Sequence, residues 1–348
     1  MPAFDSVCLD ALVQLKCLTP YQAMICNEAT PDALAVGPFV ITDRIGGDRR
    51  MELFTARKIG DHNNNQLTVL TTPPAERDIV LERLQRGLAR TRSLSLPHVV
   101  VPQAAQIDAE RLVVLSSWPG GKSLDELLVR RGRFPVSVVI EIARQIAVAL
   151  EGLERCGVLH GDLRLRQVRI DDAGRLSLTQ PMILAALEPH LTIHTDIPPA
   201  CYDGIAPELI DSGAERSLAS EMYALGCLLW QLLAGRPPFT AADPLMKLAA
   251  HQTRRIEDIR QWSPETPPHL AGLIHQLTSP DPRQRPRGFA EIHSLLGRPR
   301  GHASPRLRRF VRAFQSAAPR STQPDYEPTS KLRNVAAAAA LLLAVLGG

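Results

Sequence analysis

The chain has 348 residues, 45% of them hydrophobic and 22% charged, an ordinary globular composition that rules out wholesale disorder. Its formal net charge is only +4, so a general electrostatic grip on nucleic acid is not suggested and no nucleic-acid partner is expected. The cysteines at 8, 17, 26, 156, 201 and 227 form no C-x-x-C pair and have no histidine at ligand spacing. That argues against zinc and for reduced thiols in a cytoplasmic protein.

Residues 1–36 read as a helical lead-in, with Thr19-Pro20 placing a hydroxyl cap before proline at the first helical position. From 37 to 72 three strand-like runs, around 39–41, 52–54 and 67–70, are separated by the turn signals Gly46-Gly47-Asp48 and 60–65. Residues 75–93 look helical despite Gly87, and two more strands, around 99–101 and 112–115, complete a small sheet carrying one helix. Beyond Ser123 helix takes over: Val139, Ile142, Ile146, Leu150 and Leu153 recur at spacings of three and four, one apolar face of a long helix. A loop-rich stretch from 158 to 207 follows, then helices near 218–234, 244–252, 268–277 and 288–296.

The fold class expected is therefore α+β, a β-rich part over about 37–117 followed by a larger helical part over about 118–297. Residues 298–334, with nine Lys/Arg against two acids, read as a basic Pro/Ser-rich linker. Residues 335–348 are Ala, Leu, Val and Gly only. A spanning helix needs roughly 20 residues, so two readings stand: a membrane segment cut short, or a short soluble or interfacial helix. Arg and Lys before it would hold the domain on the cytoplasmic side of an inner membrane.

Chemistry concentrates in Val158-Leu159-His160-Gly161-Asp162-Leu163, followed by Gln167. A carboxylate on a loop after a long amphipathic helix suits phosphoryl transfer, because it can accept the proton of an attacking hydroxyl. Ala206-Pro207-Glu208, Ser220-Glu221 through Gly226, and Asp281-Pro282-Arg283-Gln284-Arg285-Pro286 follow in order. Together, over roughly 37–297, these motifs resemble the eukaryotic-like serine/threonine protein kinases of bacteria.

The resemblance implies two lobes with a nucleotide cleft between them, formed by Ile45, Gly46, Leu53, Leu115 and Ser116, with Leu115 gating the pocket. It makes Asp162 the catalytic base and Arg164 the match for a lysine near the transferred phosphate. His160, Glu208, Glu221 and Arg285 become structural, Glu208 and Arg285 as a buried ion pair. Other positions depart from the family. Only Gly46 of the glycine-rich loop matches; Asp48 and Met51 replace the other two glycines. Leu70 is the best match for the nucleotide-binding lysine, and Gly87, or Glu82 if the helix is shifted, for the glutamate that orients it. Gln167 and Gln180 stand at the two metal-ligand positions, Gln180-Pro181-Met182 replacing Asp-Phe-Gly. Gly161 replaces the arginine that often receives an activating phosphate. An amide oxygen cannot offset a dication's charge, so no metal site is expected.

The expected function is signalling through protein binding by a kinase fold with phosphotransfer lost, a pseudokinase, needing no cofactor. Its partner would be an active kinase or that kinase's substrate, with residues 335–348 as a candidate membrane contact. The alternative is a working serine/threonine kinase that uses ATP with magnesium and Asp162 as base.

Overall fold

The structure, a computed structural model, describes residues 3–317 except 29, 93 and 212. The candidate membrane segment at 335–348 lies outside the described residues. Among those described, no helix is long and apolar enough to cross a membrane.

Two helices lead in, α1 (Ala3–Gln14) and α2 (Pro20–Asn27). Thr19 caps α2 in a reciprocal box: its hydroxyl accepts from Gln22 N at 3.1 Å while Gln22 Oε1 accepts from Thr19 N at 3.0 Å. Strands β1 (Ala35–Val36), β2 (Phe39–Asp48), β3 (Met51–Lys58) and β4 (Asn64–Leu70) follow. After them come α3 (Arg77–Thr91), β5 (Ala104–Asp108) and β6 (Arg111–Ser117), completing an antiparallel sheet in the order β1-β2-β3-β4-β6-β5. Tyr21 and Ile25 of α2 pack on the outer face of this sheet, over Ile41, Phe54, Leu67 and Val113. The inner face meets α3 through Met51, Leu70, Val80 and Leu84.

The helical lobe begins with β7 (Lys122–Ser123), α4 (Leu124–Arg131) and α5 (Val136–Arg155), whose predicted apolar face is fully buried. Strands β8 (Val168–Ile170) and β9 (Leu176–Leu178) join β7 in a small second sheet beneath the cleft. Then come α6 (Ile183–Leu187), α7 (Pro207–Asp211), α8 (Leu218–Ala234), α9 (Pro244–Thr253), α10 (Pro268–Leu277), α11 (Phe289–Leu296) and α12 (Pro305–Ala317).

Three expectations change. Gly46-Gly47-Asp48 is not a turn: β2 runs through it, paired with β3, and the reversal falls on Arg49 and Arg50. Paired extended strands accommodate glycine here, so the punctuation signal misplaced the hairpin tip by two residues. Residues 99–101 form no strand; Val99 makes a single bridge to Leu178, and the edge strand is β5 instead. Lastly, 298–334 is not linker throughout. Helix α12 buries Leu307, Phe310 and Val311 against the helical lobe, so the packed domain runs past 297.

Candidate active site

Asp162 lies in the loop after α5, held from beneath. The Gly161 amide donates to Glu221 Oε1 at 2.6 Å. Gly161 has φ 80°, and a Cβ there would sit 2.7 Å from Ala185 Cβ, so an arginine side chain has no place at this position. His160 is fully buried between Thr179 O, 3.0 Å from Nε2, and the Asp162 amide, which donates to Nδ1 at 3.3 Å. Those two bonds assign the neutral ring with its proton on Nε2. Burial pushes the pKa of His160 down to about 4. Burial likewise raises the Glu221 carboxyl to about 7, against the backbone donors that favour its charged form.

The Asp162 carboxylate is held on both sides, by two hydrogen bonds on Oδ2 and by charge alone on Oδ1. Arg164 Nη2 donates to Oδ2 at 2.6 Å, Arg164 Nε stands 2.6 Å from Oδ1, and Gln167 Nε2 donates to Oδ2 at 3.0 Å. Burial alone would raise the Asp162 pKa, but the Arg164 charge and these donors hold it below the usual carboxylate range.

From Gln167 the bonding continues across the cleft. Its Nε2 also donates to Gln180 Oε1 at 2.9 Å, its Oε1 accepts from Thr179 Oγ1 at 3.0 Å, and Gln180 Nε2 donates to Thr68 Oγ1 at 3.0 Å. Thus Thr68 of β4, not Leu70, meets the Gln180 triplet. Leu70 lies two residues further along the same face, in the core beside Met51. Neither candidate for the orienting glutamate serves. Glu82 is exposed and paired with Arg86 at 2.6 Å, while a Cβ on Gly87 would lie 2.7 Å from Met182 Sδ. Gln180 and Met182 both hold left-handed backbone, φ 59° and 63°, sparsely populated for residues other than glycine.

At the phosphate end, arginines fill the space. Arg50, at the hairpin tip, is buried and donates to Asp48 at 2.8 and 3.2 Å, with its other nitrogen 3.6 Å from Glu188. The Arg50 bonds outweigh burial and hold the Asp48 carboxyl down at about 2. Arg49 reaches Asp196 at 3.0 Å. A Cβ on Gly46 would come within 2.9 Å of the Arg166 guanidinium. Asp48 and Arg164 also border a cavity of about 170 Å³ with Asp125, Cys201 and Asp203.

Of the residues expected to line the nucleotide cleft, Gly46, Leu53 and Thr68 share one rung of β2, β3 and β4. Leu53 packs against the inter-lobe core. Leu115 does not gate the pocket: strand alternation turns it to the outer face, against the cluster of Ile41 and Phe54. Its neighbour Ser116 faces inward opposite Gln66, with a buried Oγ that has no hydrogen-bond partner. Away from the cleft, Arg285 donates to both Glu208 oxygens at 2.7 and 2.8 Å and to Ser279 O and Ala219 O.

The residues present do not fit a metal–nucleotide complex of the kind this fold class holds. Gln167 and Gln180 share one amide bond and commit their remaining groups to Asp162, Thr179 and Thr68, Thr68 carries no charge, and Arg50 and Arg166 close over the space beneath the hairpin. Among the described residues no three or more His, Cys, Asp or Glu side chains come together as a metal-binding group.

A two-lobed scaffold with an Asp162-type loop, a bidentate Glu208–Arg285 pair and a triplet at 180–182 defines the protein-kinase fold. The chain belongs to the protein kinase domain family, which matches residues 58–296. It is 23% identical over 249 residues to the serine/threonine-protein kinase PrkC of Bacillus subtilis, covering 72% of this chain and 38% of that protein. To PknD of Mycobacterium tuberculosis it is 27% identical over 294 residues, 82% of this chain and 44% of that one. The chain thus spans less than half the length of these relatives. Its fold matches the crystal structure of the M. tuberculosis PknI kinase domain with a TM-score of 0.59 at 20% identity, over 75% of this chain and 96% of that one.

Proposed function

We propose that this protein is a pseudokinase that signals by binding a protein partner, an active kinase or its substrate, and does not transfer phosphate. One observation carries the reading: the hydrogen-bonded series Thr68–Gln180–Gln167–Asp162–Arg164 occupies the positions where the family binds metal and abstracts a proton. A base must draw the substrate proton, and the Arg164 charge together with two donors on Oδ2 stabilises the Asp162 carboxylate in its ionised form, which weakens its pull on that proton. Losing one transition-state donor typically costs about 10²–10³ in rate. Here a charged lysine and a metal carboxylate are both replaced, which predicts a deficit of about 10⁴–10⁶, short of strict additivity.

The test is thermal unfolding and label transfer with the full chain, with ATP and either Mg²⁺ or Mn²⁺. A ligand at a hundred times its Kd would stabilise by about 2.7 kcal/mol. The reading expects no metal-dependent shift of Tm and no transfer to the chain itself or to a generic basic protein. Phosphotransfer that disappears in a folded Asp162→Asn variant would establish the working kinase instead.

A further inference from the structure

Helix α12 carries a face that the cleft does not use. Leu307, Phe310 and Val311 are buried, Phe310 against Phe134 with ring centroids 4.6 Å apart. Arg306, Arg308, Arg309 and Arg312 form the opposite, exposed stripe. Arg306 donates to Ser137 O at 3.4 Å, and among the described residues Arg308, Arg309 and Arg312 have no carboxylate partner. Arg131 of α4 lies over the Phe310 ring, 5.1 Å from its centroid, and adds positive charge beside them. Between residues 298 and 324 there is no Asp or Glu.

Like charges one turn apart, such as Arg308 and Arg312, repel and weaken an isolated helix. This helix tolerates the repulsion because its apolar face is clamped to the domain, and the stripe is left without counter-charge. We propose that this arginine face docks on an anionic phospholipid surface, laying the helical lobe against the membrane. The inference stands whether or not the cleft transfers phosphate. Charge complementarity is one support, since each basic residue near an anionic leaflet strengthens attachment by about fivefold.

Sequence continuity is the other. The wholly apolar run 335–348 follows after residues 318–334, a stretch that cannot extend beyond about 60 Å. If that run partitions into a bilayer, it keeps the arginine face within reach and raises its effective concentration there. An RNA would gain nothing from that neighbour.

The test is co-sedimentation of the full chain with phosphatidylcholine vesicles and with vesicles containing phosphatidylglycerol. The native chain should prefer the anionic vesicles, and added salt should erode the preference. Arg308→Gln, Arg309→Gln and Arg312→Gln together should lower anionic binding by about 10²-fold and leave the phosphatidylcholine level unchanged. The corresponding triple Lys variant should retain it. An unchanged Tm in both variants separates loss of charge from loss of fold. Equal binding to both vesicle types by the native chain, or full anionic binding by the Gln variant, overturns the proposal. So does salt-sensitive capture of single-stranded RNA without any vesicle preference, which would reassign the face to nucleic acid.

Discussion

Asp162 and Arg164 form an ion pair away from water, and the pair is worth most when one partner is removed. Asp162→Ala should destabilise the domain by about 3–5 kcal/mol, measured by urea unfolding at neutral pH, because a buried guanidinium is left without its counter-charge. A smaller loss is expected for Asp162→Asn, whose side-chain oxygen still accepts from Gln167. Glu221 works in the opposite sense. Its carboxyl moves from an ordinary 4.5 to about 7 on folding, so its stabilising contribution is complete below 4.5 and is lost as pH rises toward 7. Glu221→Gln should therefore flatten that decline, worth on the order of 3 kcal/mol, in unfolding curves taken between pH 5 and about 8. The amide substitutions at 167 and 180 were legible in the sequence because motif positions number them. Thr68 was missed, and Leu115 was given the inward face that its neighbour Ser116 holds, by small register errors, since a strand gives one side chain in two to each face and no gap-free count fixes which. Arg50 carried no signal: its burial depends on Asp48 and Glu188, groups no local pattern links.

At the level of elements, α12 shows why composition misleads. Averaged over 298–334, Arg, Pro and Ser read as linker, yet Leu307, Phe310 and Val311 recur at helical spacing behind Pro305 at the helix start. Phe310→Ala should cost about 3–5 kcal/mol in equilibrium unfolding, the usual range for emptying a buried aromatic position. The long helix α5 was legible, because its apolar period from Val139 to Leu153 extends over about four turns. The tie between α7 and the loop before α11 is a separate case. Removing Glu208 leaves Arg285 buried beneath Tyr223, and Glu208→Ala should lower stability by about 3–5 kcal/mol without altering the helices' own propensities.

Across the whole molecule, titrating groups oppose one another. His160 and His251 are held by burial at about 4 and about 3, so the stability they provide is complete above 6.5 and is lost as pH falls through those values. Glu221 declines from 4.5 up to about 7, across the range in which the histidines gain. Two histidines gaining against one carboxylate losing make stability rise to a maximum near pH 6.5 and fall above it, which calorimetric scans across pH would locate.

The lobes also meet through more than the short segment between β6 and β7. Arg49–Asp196, Arg50–Glu188, Thr68–Gln180 and Arg83 with Ala186 O all cross between them. A jaw fastened at so many points has little freedom to swing. Amide protons of β4 and β9, on opposite sides of the hinge, should then exchange with deuterium at one shared rate set by global unfolding, whereas a breathing enzyme would release the small lobe first.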